Sequence, residues 1–119
     1  MAYYRDLVVW RKSMDLVVEV YGIIDHFPKQ EMYALADQLR RCAVSIPSNI
    51  AEGSARQSKK EFLQYLHIAL GSLYELQTQL EIACRLWYCS ADKVPNGKIH
   101  EIEKMLNALI ASMKKNRNA

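Results

Sequence analysis

Leu7, Trp10, Met14, Val17, Tyr21 and Ile24 recur at alternating steps of three and four, the apolar stripe of a helix with one face turned to a core. Pro28, just after Phe27, closes this first segment. A second stripe, Met32, Leu35, Leu39, Cys42 and Ile46, keeps the rhythm and then runs onto Asn49 and Gly53. The third never misses a step from Phe62 through Leu66, Ala69, Leu73, Leu76, Leu80 and Ala83 to Trp87. Its start is marked by Ser58-Lys59-Lys60-Glu61, a capping box in which the Ser hydroxyl and the Glu carboxylate satisfy free backbone N–H groups reciprocally. A fourth stripe, Ile99, Ile102, Leu106, Leu109 and Met113, begins near Pro95-Asn96 and frays into a basic tail. The connections at 28–30, 54–57 and 88–96 are short, so successive helices must lie antiparallel. The pattern predicts an all-α fold, an up-down-up-down antiparallel four-helix bundle, with residues 1–119 as a single domain.

One segment breaks the pattern. Ser45-Ile46-Pro47-Ser48-Asn49-Ile50-Ala51-Glu52-Gly53 puts a proline and an asparagine where the flanking residues demand a continuous apolar helix. Pro47 lacks an N–H and its ring crowds the carbonyl of Ala43, which predicts a kink in helix two, or an end and a restart. Asn49, on the inward stripe just beyond, is placed to cap the freed backbone groups. Two readings stay open: a polar residue that fixes register beside a kink that curves the helix, or a direct binding role for Ser45, Pro47, Asn49 and Gly53.

Faces that should be wet carry apolar residues. Opposite the core stripe of helix two lie Asp37, Arg40, Arg41, Val44, Ser48 and Ala51, with Val44 farthest from the core. On helix three Gly71 faces outward near His67, Tyr74, Thr78 and Ile82, and a mid-helix glycine costs about 1 kcal/mol relative to alanine unless something approaches it closely. Val44, Gly71 and Ile82 read as a subunit interface, against the plainer reading of scattered surface hydrophobes.

Composition fits this picture: 119 residues, 50% hydrophobic and 24% charged, with only 4 Gly and 3 Pro, suit one soluble helical domain. No apolar run approaches the roughly 20 residues of a membrane span, and Met1-Ala2-Tyr3-Tyr4-Arg5-Asp6 lacks a signal-peptide layout, so the expected location is the cytoplasm. Cys42, Cys84 and Cys89 are an odd set without a C-x-x-C spacing, which suggests reduced thiols and neither a disulfide framework nor zinc. The formal charge of +3 is unevenly spread. Arg40, Arg41, Arg56, Lys59 and Lys60 outnumber Glu31, Asp37 and Glu52, and Lys93, Lys98, Lys104, Lys114, Lys115 and Arg117 outnumber Asp92, Glu101 and Glu103. One copy is a weak polyanion binder; an oligomer that gathers these patches is a stronger one.

Familiar catalytic patterns are missing. A di-iron bundle needs E-x-x-H pairs, and no Glu here precedes a His at that spacing; His26, His67 and His100 are scattered. No Arg precedes a His by the interval of an R-x4-6-H ribonuclease, and Glu52-Gly53-Ser54-Ala55-Arg56 is no phosphate loop. No serine stands in a strand-turn-helix setting. Neither a cofactor, a metal nor catalysis is expected.

Leu7 to Leu16, Arg40-Arg41-Cys42-Ala43-Val44-Ser45-Ile46-Pro47-Ser48-Asn49-Ile50-Ala51-Glu52-Gly53, Ser58 to Phe62 and Ala69-Leu70-Gly71-Ser72-Leu73-Tyr74-Glu75-Leu76 closely resemble the bacterial four-helix bundle proteins of the 23S rRNA intervening-sequence family, also called the S23 ribosomal protein family. The resemblance covers nearly the whole chain, and the run from Arg40 to Gly53 is its specific part. Members are encoded in, or related to those encoded in, insertions within 23S rRNA genes, and similar proteins accompany the reverse transcriptases of diversity-generating retroelements. The resemblance implies a homopentameric barrel with basic surfaces suited to nucleic acid and no enzymatic activity. It departs at Cys42, where Ala is expected, and at Gln77, where Glu is common, which removes one acidic contact.

The leading expectation is therefore a non-catalytic, oligomeric, RNA- or DNA-binding bundle in which Arg40, Arg41, Arg56, Lys59 and Lys60 contact phosphates, positioning the nucleic acid without reading its sequence. Its rival is a protein-interaction module whose Val44 and Ile82 surfaces bind a partner such as a reverse transcriptase or other polymerase. Arg41 has a plainer role open to it, an i, i+4 pair with Asp37. An enzyme would need a site assembled between subunits.

Overall fold

The computed structural model describes residues 3–118, with side chains as far as Lys115. After a 3-10 turn at Tyr4–Asp6 come four helices: α1 (Val8–Ile24), α2 (Leu35–Ser54), α3 (Lys59–Arg85) and α4 (Asn96–Asn118). Each packs on its neighbour in sequence, α1 closes against α4, and the α2–α3 contact is the most extensive. The result is a four-helix bundle, a rod of 50 × 23 × 20 Å.

Cross-helix bonds fix the register of α2 on α3. Gln38 bonds Gln79, Cys42 bonds Glu75, Ser45 bonds Ser72 and Tyr65 bonds Glu52. As the number rises on one helix it falls by the same step on the other, as antiparallel neighbours require. Lys12–Glu101 and Lys98–Glu19 run in the same opposed sense between α1 and α4. The core is a continuous cluster in which Leu16, Leu39, Ile46, Ile50, Leu66, Leu73, Leu76, Ile102 and Leu106 are fully buried.

Three sequence-based expectations are corrected. On α1 the buried residues are Val9, Ser13, Leu16, Val20, Ile23 and Ile24, while Met14 and Tyr21 are exposed. Apolar residues cover more of this helix than its neighbours bury: Val9, Leu16, Val20, Ile23 and Ile24 take the interior, while Met14 and Tyr21, like Val8 and Val18, stay outside it. Ser13 stays inside because its hydroxyl donates to the Val9 carbonyl at 2.7 Å, the usual way a helical Ser is satisfied without water. Second, Met32 is no part of α2. A 3-10 turn at Lys29–Glu31 intervenes, and Glu31 accepts from the Leu35 N–H at 3.3 Å, anchoring the start of α2 three residues later than the stripe suggests.

Third, α3 stops at Arg85, so Trp87 is not its last core residue but is 92% exposed. The Tyr88 N–H donates to the Ala83 carbonyl at 2.9 Å and the Trp87 N–H to Cys84 at 3.1 Å. These are the paired bonds of a Schellman turn, which needs a left-handed residue just past the cap. Trp87 takes that place at φ 66°, where glycine is usual. Ser58 caps the other end of α3 by accepting from the Glu61 N–H at 3.1 Å. The reciprocal Glu61 side-chain bond of a full capping box is not among the bonds formed.

Candidate nucleic-acid interface

The segment from Ser45 to Gly53 builds the seam between α2 and α3. Helix α2 runs through Pro47 without ending there. Pro47 is buried, and its missing N–H leaves the Ala43 carbonyl without the usual donor. Asn49 does not reach Ala43. Its Nδ2 donates to the Ser45 carbonyl at 2.7 Å and the Ser45 hydroxyl at 2.9 Å, and that hydroxyl meets Ser72 of α3 at 2.8 Å. At Gly53 the two helices approach closely: a Cβ there would stand 2.6 Å from the Tyr65 Cβ and 3.0 Å from a Phe62 ring carbon. Only a residue without a side chain fits that approach.

The five basic residues singled out in the sequence fall into two groups. Arg40 and Arg41 lie on the flank of α2, on the order of 20 Å along the helix from Arg56. Arg40 donates weakly to the Met32 carbonyl at 3.4 Å and sits 5.9 Å above the Tyr21 ring. Arg41 pairs with Asp37 at 3.1 Å. Arg56, Lys59 and Lys60 sit together at the α2–α3 turn. There Arg56 donates to Glu52 at 2.7 Å and to the Tyr65 hydroxyl at 2.6 Å, and lies over the Tyr65 ring. The Glu52 carboxylate, then Tyr65, hold the guanidinium in its charged form more firmly than usual. Since Glu52 also offsets its charge, Arg56 acts first as a lock on the turn.

Lys59 and Lys60 are exposed and pair with no carboxylate among the described residues. The same end of the rod receives the end of α4 with exposed Lys114 and Lys115, and the start of the chain, where Arg5 lies 5.5 Å from the Tyr4 and Trp10 rings. This convergence follows from the antiparallel order of the helices, which brings the end of α4 beside the start of α3. The Arg117 side chain lies outside the described residues.

Val44, Gly71 and Ile82 are all exposed. A Cβ on Gly71 would meet nothing within 4 Å, so no part of this chain needs a glycine there. Val44 borders an apolar groove of about 630 Å³ between α1 and α2, floored by Trp10, Met14, Val17 and Pro47. Among the described residues no three His, Cys, Asp or Glu converge as metal ligands, and no helix is long and apolar enough to cross a membrane. The Cys42 thiol, buried and donating to Glu75 at 2.8 Å, is pushed up to about 12 by burial and then by that carboxylate, which makes it inert as a nucleophile at neutral pH.

A rod of four helices, cationic at one end and closely seamed along α2 and α3, belongs among the small helical-bundle proteins. Residues 5–108 match the family described as 23S rRNA-intervening sequence protein, and the chain is a member of that family. Among solved structures it is similar to a protein of unknown function from the S23 ribosomal protein family of Bacteroides thetaiotaomicron VPI-5482. The two share 29% identity and a TM-score of 0.79 over 87% of this chain and 98% of the other. No curated protein matches the sequence. No enzyme family is indicated by these similarities.

Proposed function

We propose that this protein is a non-catalytic, oligomeric bundle of the cytoplasm that binds RNA through phosphate contacts. Lys59 and Lys60 make the contacts at the cationic end with Arg56 beside them, and Arg40 and Arg41 extend the surface along the flank. The gathering of cations from three separate stretches of chain at one end of the rod carries this reading. Phosphate contacts of this kind hold a strand in place and carry no sequence information. Copies meet through Val44 and its groove on one side and the Gly71–Ile82 face on the other, and a homopentamer, as the family resemblance implies, pools five weak surfaces into one.

Filter binding of a structured RNA across a salt series tests the contact. Affinity is expected to fall by roughly 0.9 log units per log unit of salt for each phosphate neutralised on a duplex, somewhat less on single strands. A flat salt response, or no binding, would overturn it. Light scattering tests the assembly, and a single-chain mass of 13.8 kDa in dilute buffer would remove it.

The apolar groove beside Val44 supports a second reading, in which a protein partner such as a reverse transcriptase docks there and the charges serve solubility. Replacing Arg40 and Arg41 with Glu separates the two. Loss of RNA binding by an intact oligomer favours phosphate contacts, and loss of assembly places the arginines in an interface.

A further inference from the structure

Cys84 and Cys89 are brought together by the turn that ends α3. Cys84 is in the last turn of that helix, and the left-handed Trp87 reverses the chain so that Cys89 returns beside it. Their sulfurs lie 3.5 Å apart, both half-buried, and both are free thiols. Small molecules reach the pair from two sides. Cys84 borders an open cleft of about 380 Å³ between the end of α3 and the start of α4. Cys89 borders a hollow of about 510 Å³ beside α1, where Lys93 and His26 also stand. A disulfide requires sulfurs about 2.05 Å apart, so roughly 1.5 Å separates this pair from bonding distance, a gap that small side-chain rotations and a slight shift of the exposed turn can close.

We propose that Cys84 and Cys89 form a reversible dithiol–disulfide site, oxidised by exchange with a small disulfide such as oxidised glutathione. Cys84, as its thiolate, attacks one sulfur of the oxidant; the S–S bond breaks and one glutathione leaves as a thiolate that takes up the proton Cys84 released. Cys89 then loses its proton and attacks the Cys84 sulfur of the mixed disulfide, and the second glutathione leaves and is protonated. Two protein thiols have become one disulfide, and one glutathione disulfide has become two thiols. Burial first, and then the neighbouring Cys84, raises the Cys89 thiol, which suits Cys89 to the second step. Such a thiol is slow to attack a free oxidant, but in the second step its target is held next to it. Cys42 stays out, being buried nine positions away along the α2–α3 seam against Glu75. The bridge would staple the turn that presents Trp87.

Incubating the full chain with oxidised glutathione, then counting free thiols and weighing the intact protein, tests the site. Free thiols are expected to fall from three to one, with the loss of two hydrogens, no lasting glutathione adduct and full reversal by dithiothreitol. Cys42→Ala should lose both of its remaining thiols to the same bridge, whereas Cys84→Ser and Cys89→Ser should form no intramolecular bridge. A full complement of thiols after prolonged exposure, a stable adduct on the unaltered chain, or a bridge that requires Cys42 would each overturn the proposal. None of these outcomes depends on RNA binding.

Discussion

Trp87 is the residue least expected from local rules. A left-handed backbone costs an L-residue other than glycine roughly 1–2 kcal/mol, and at 92% exposure this indole recovers almost nothing by burial. Trp87→Gly is therefore expected to raise stability by about 1 kcal/mol, after part of the relief is returned as glycine's extra freedom in the unfolded chain. A urea titration followed by circular dichroism measures it, and a lower midpoint would show that the indole makes a stabilising contact. Gly53 is the converse case. Its absent Cβ would fall 2.6 Å from the Tyr65 Cβ, an atom fixed to the backbone that cannot swing aside. Gly53→Ala gains about 1 kcal/mol of helix propensity but forces the helices apart, for which overpacking typically costs about 1–3 kcal/mol. Expected on balance is a lower midpoint in the same titration. Both residues show the limit of periodicity. Gly53 falls on the apolar stripe and could be placed inside, yet its contact with Tyr65 exists only once α3 has packed; Trp87 also falls on the stripe, and only the turn's hydrogen bonds take it out.

At the scale of elements, α3 was legible because one apolar stripe runs unbroken from Phe62 to Ala83 and is buried along its whole length, even though Ile68, Tyr74 and Ile82 stay exposed off it. Helix α1 was not, since Val8, Val9, Trp10, Met14, Leu16, Val17 and Val18 offer two stripes and the sequence does not say which one its neighbours bury. The α2 pattern was legible from Leu35 to Pro47, and the helix then continues where a break was possible. The neighbours hold it: Ile46 and Ile50 are fully buried on either side of the proline, and the Asn49–Ser45–Ser72 chain ties this turn to α3. Pro47→Ala restores the donor for the Ala43 carbonyl, and a helix-interior proline costs about 3 kcal/mol against alanine. Losing two buried methylenes takes back roughly 1.6 kcal/mol. A net gain near 1 kcal/mol is expected from chemical denaturation. If assembly or RNA binding weakens while the variant becomes more stable, the proline serves function at the expense of stability.

For the whole molecule, the two ends of the rod differ in what they offer. At one, Lys59, Lys60, Lys114 and Lys115 project from the start of α3 and the end of α4. At the other, Tyr33 and Trp87 stand almost fully exposed beside a knot in which Tyr88 donates to Glu31 at 2.8 Å and packs on Phe27. Charge counts along the sequence show that basic residues exceed acidic ones in two stretches, and the i, i+4 spacing offered the Arg41–Asp37 pair, but the offset of Arg56 by Glu52 was not read from it. Exposed pairs of this kind are worth about 0–1 kcal/mol, so a phosphate can displace Asp37 or Glu52 only by giving back part of what it gains. Lys59 and Lys60, which pair with no carboxylate among the described residues, have no such competitor there. Lys59→Glu together with Lys60→Glu should therefore weaken RNA binding more than Arg40→Glu together with Arg41→Glu, and should lower the salt slope by close to 2 per chain on a duplex, at about 0.9 for each lost phosphate contact. Electrophoretic mobility shifts over a range of salt concentrations measure both quantities, with circular dichroism confirming that the variants stay helical. Equal losses from the two pairs would mean that nucleic acid runs along the flank of α2, and an unchanged slope in the lysine variant would remove the cationic end from the interface.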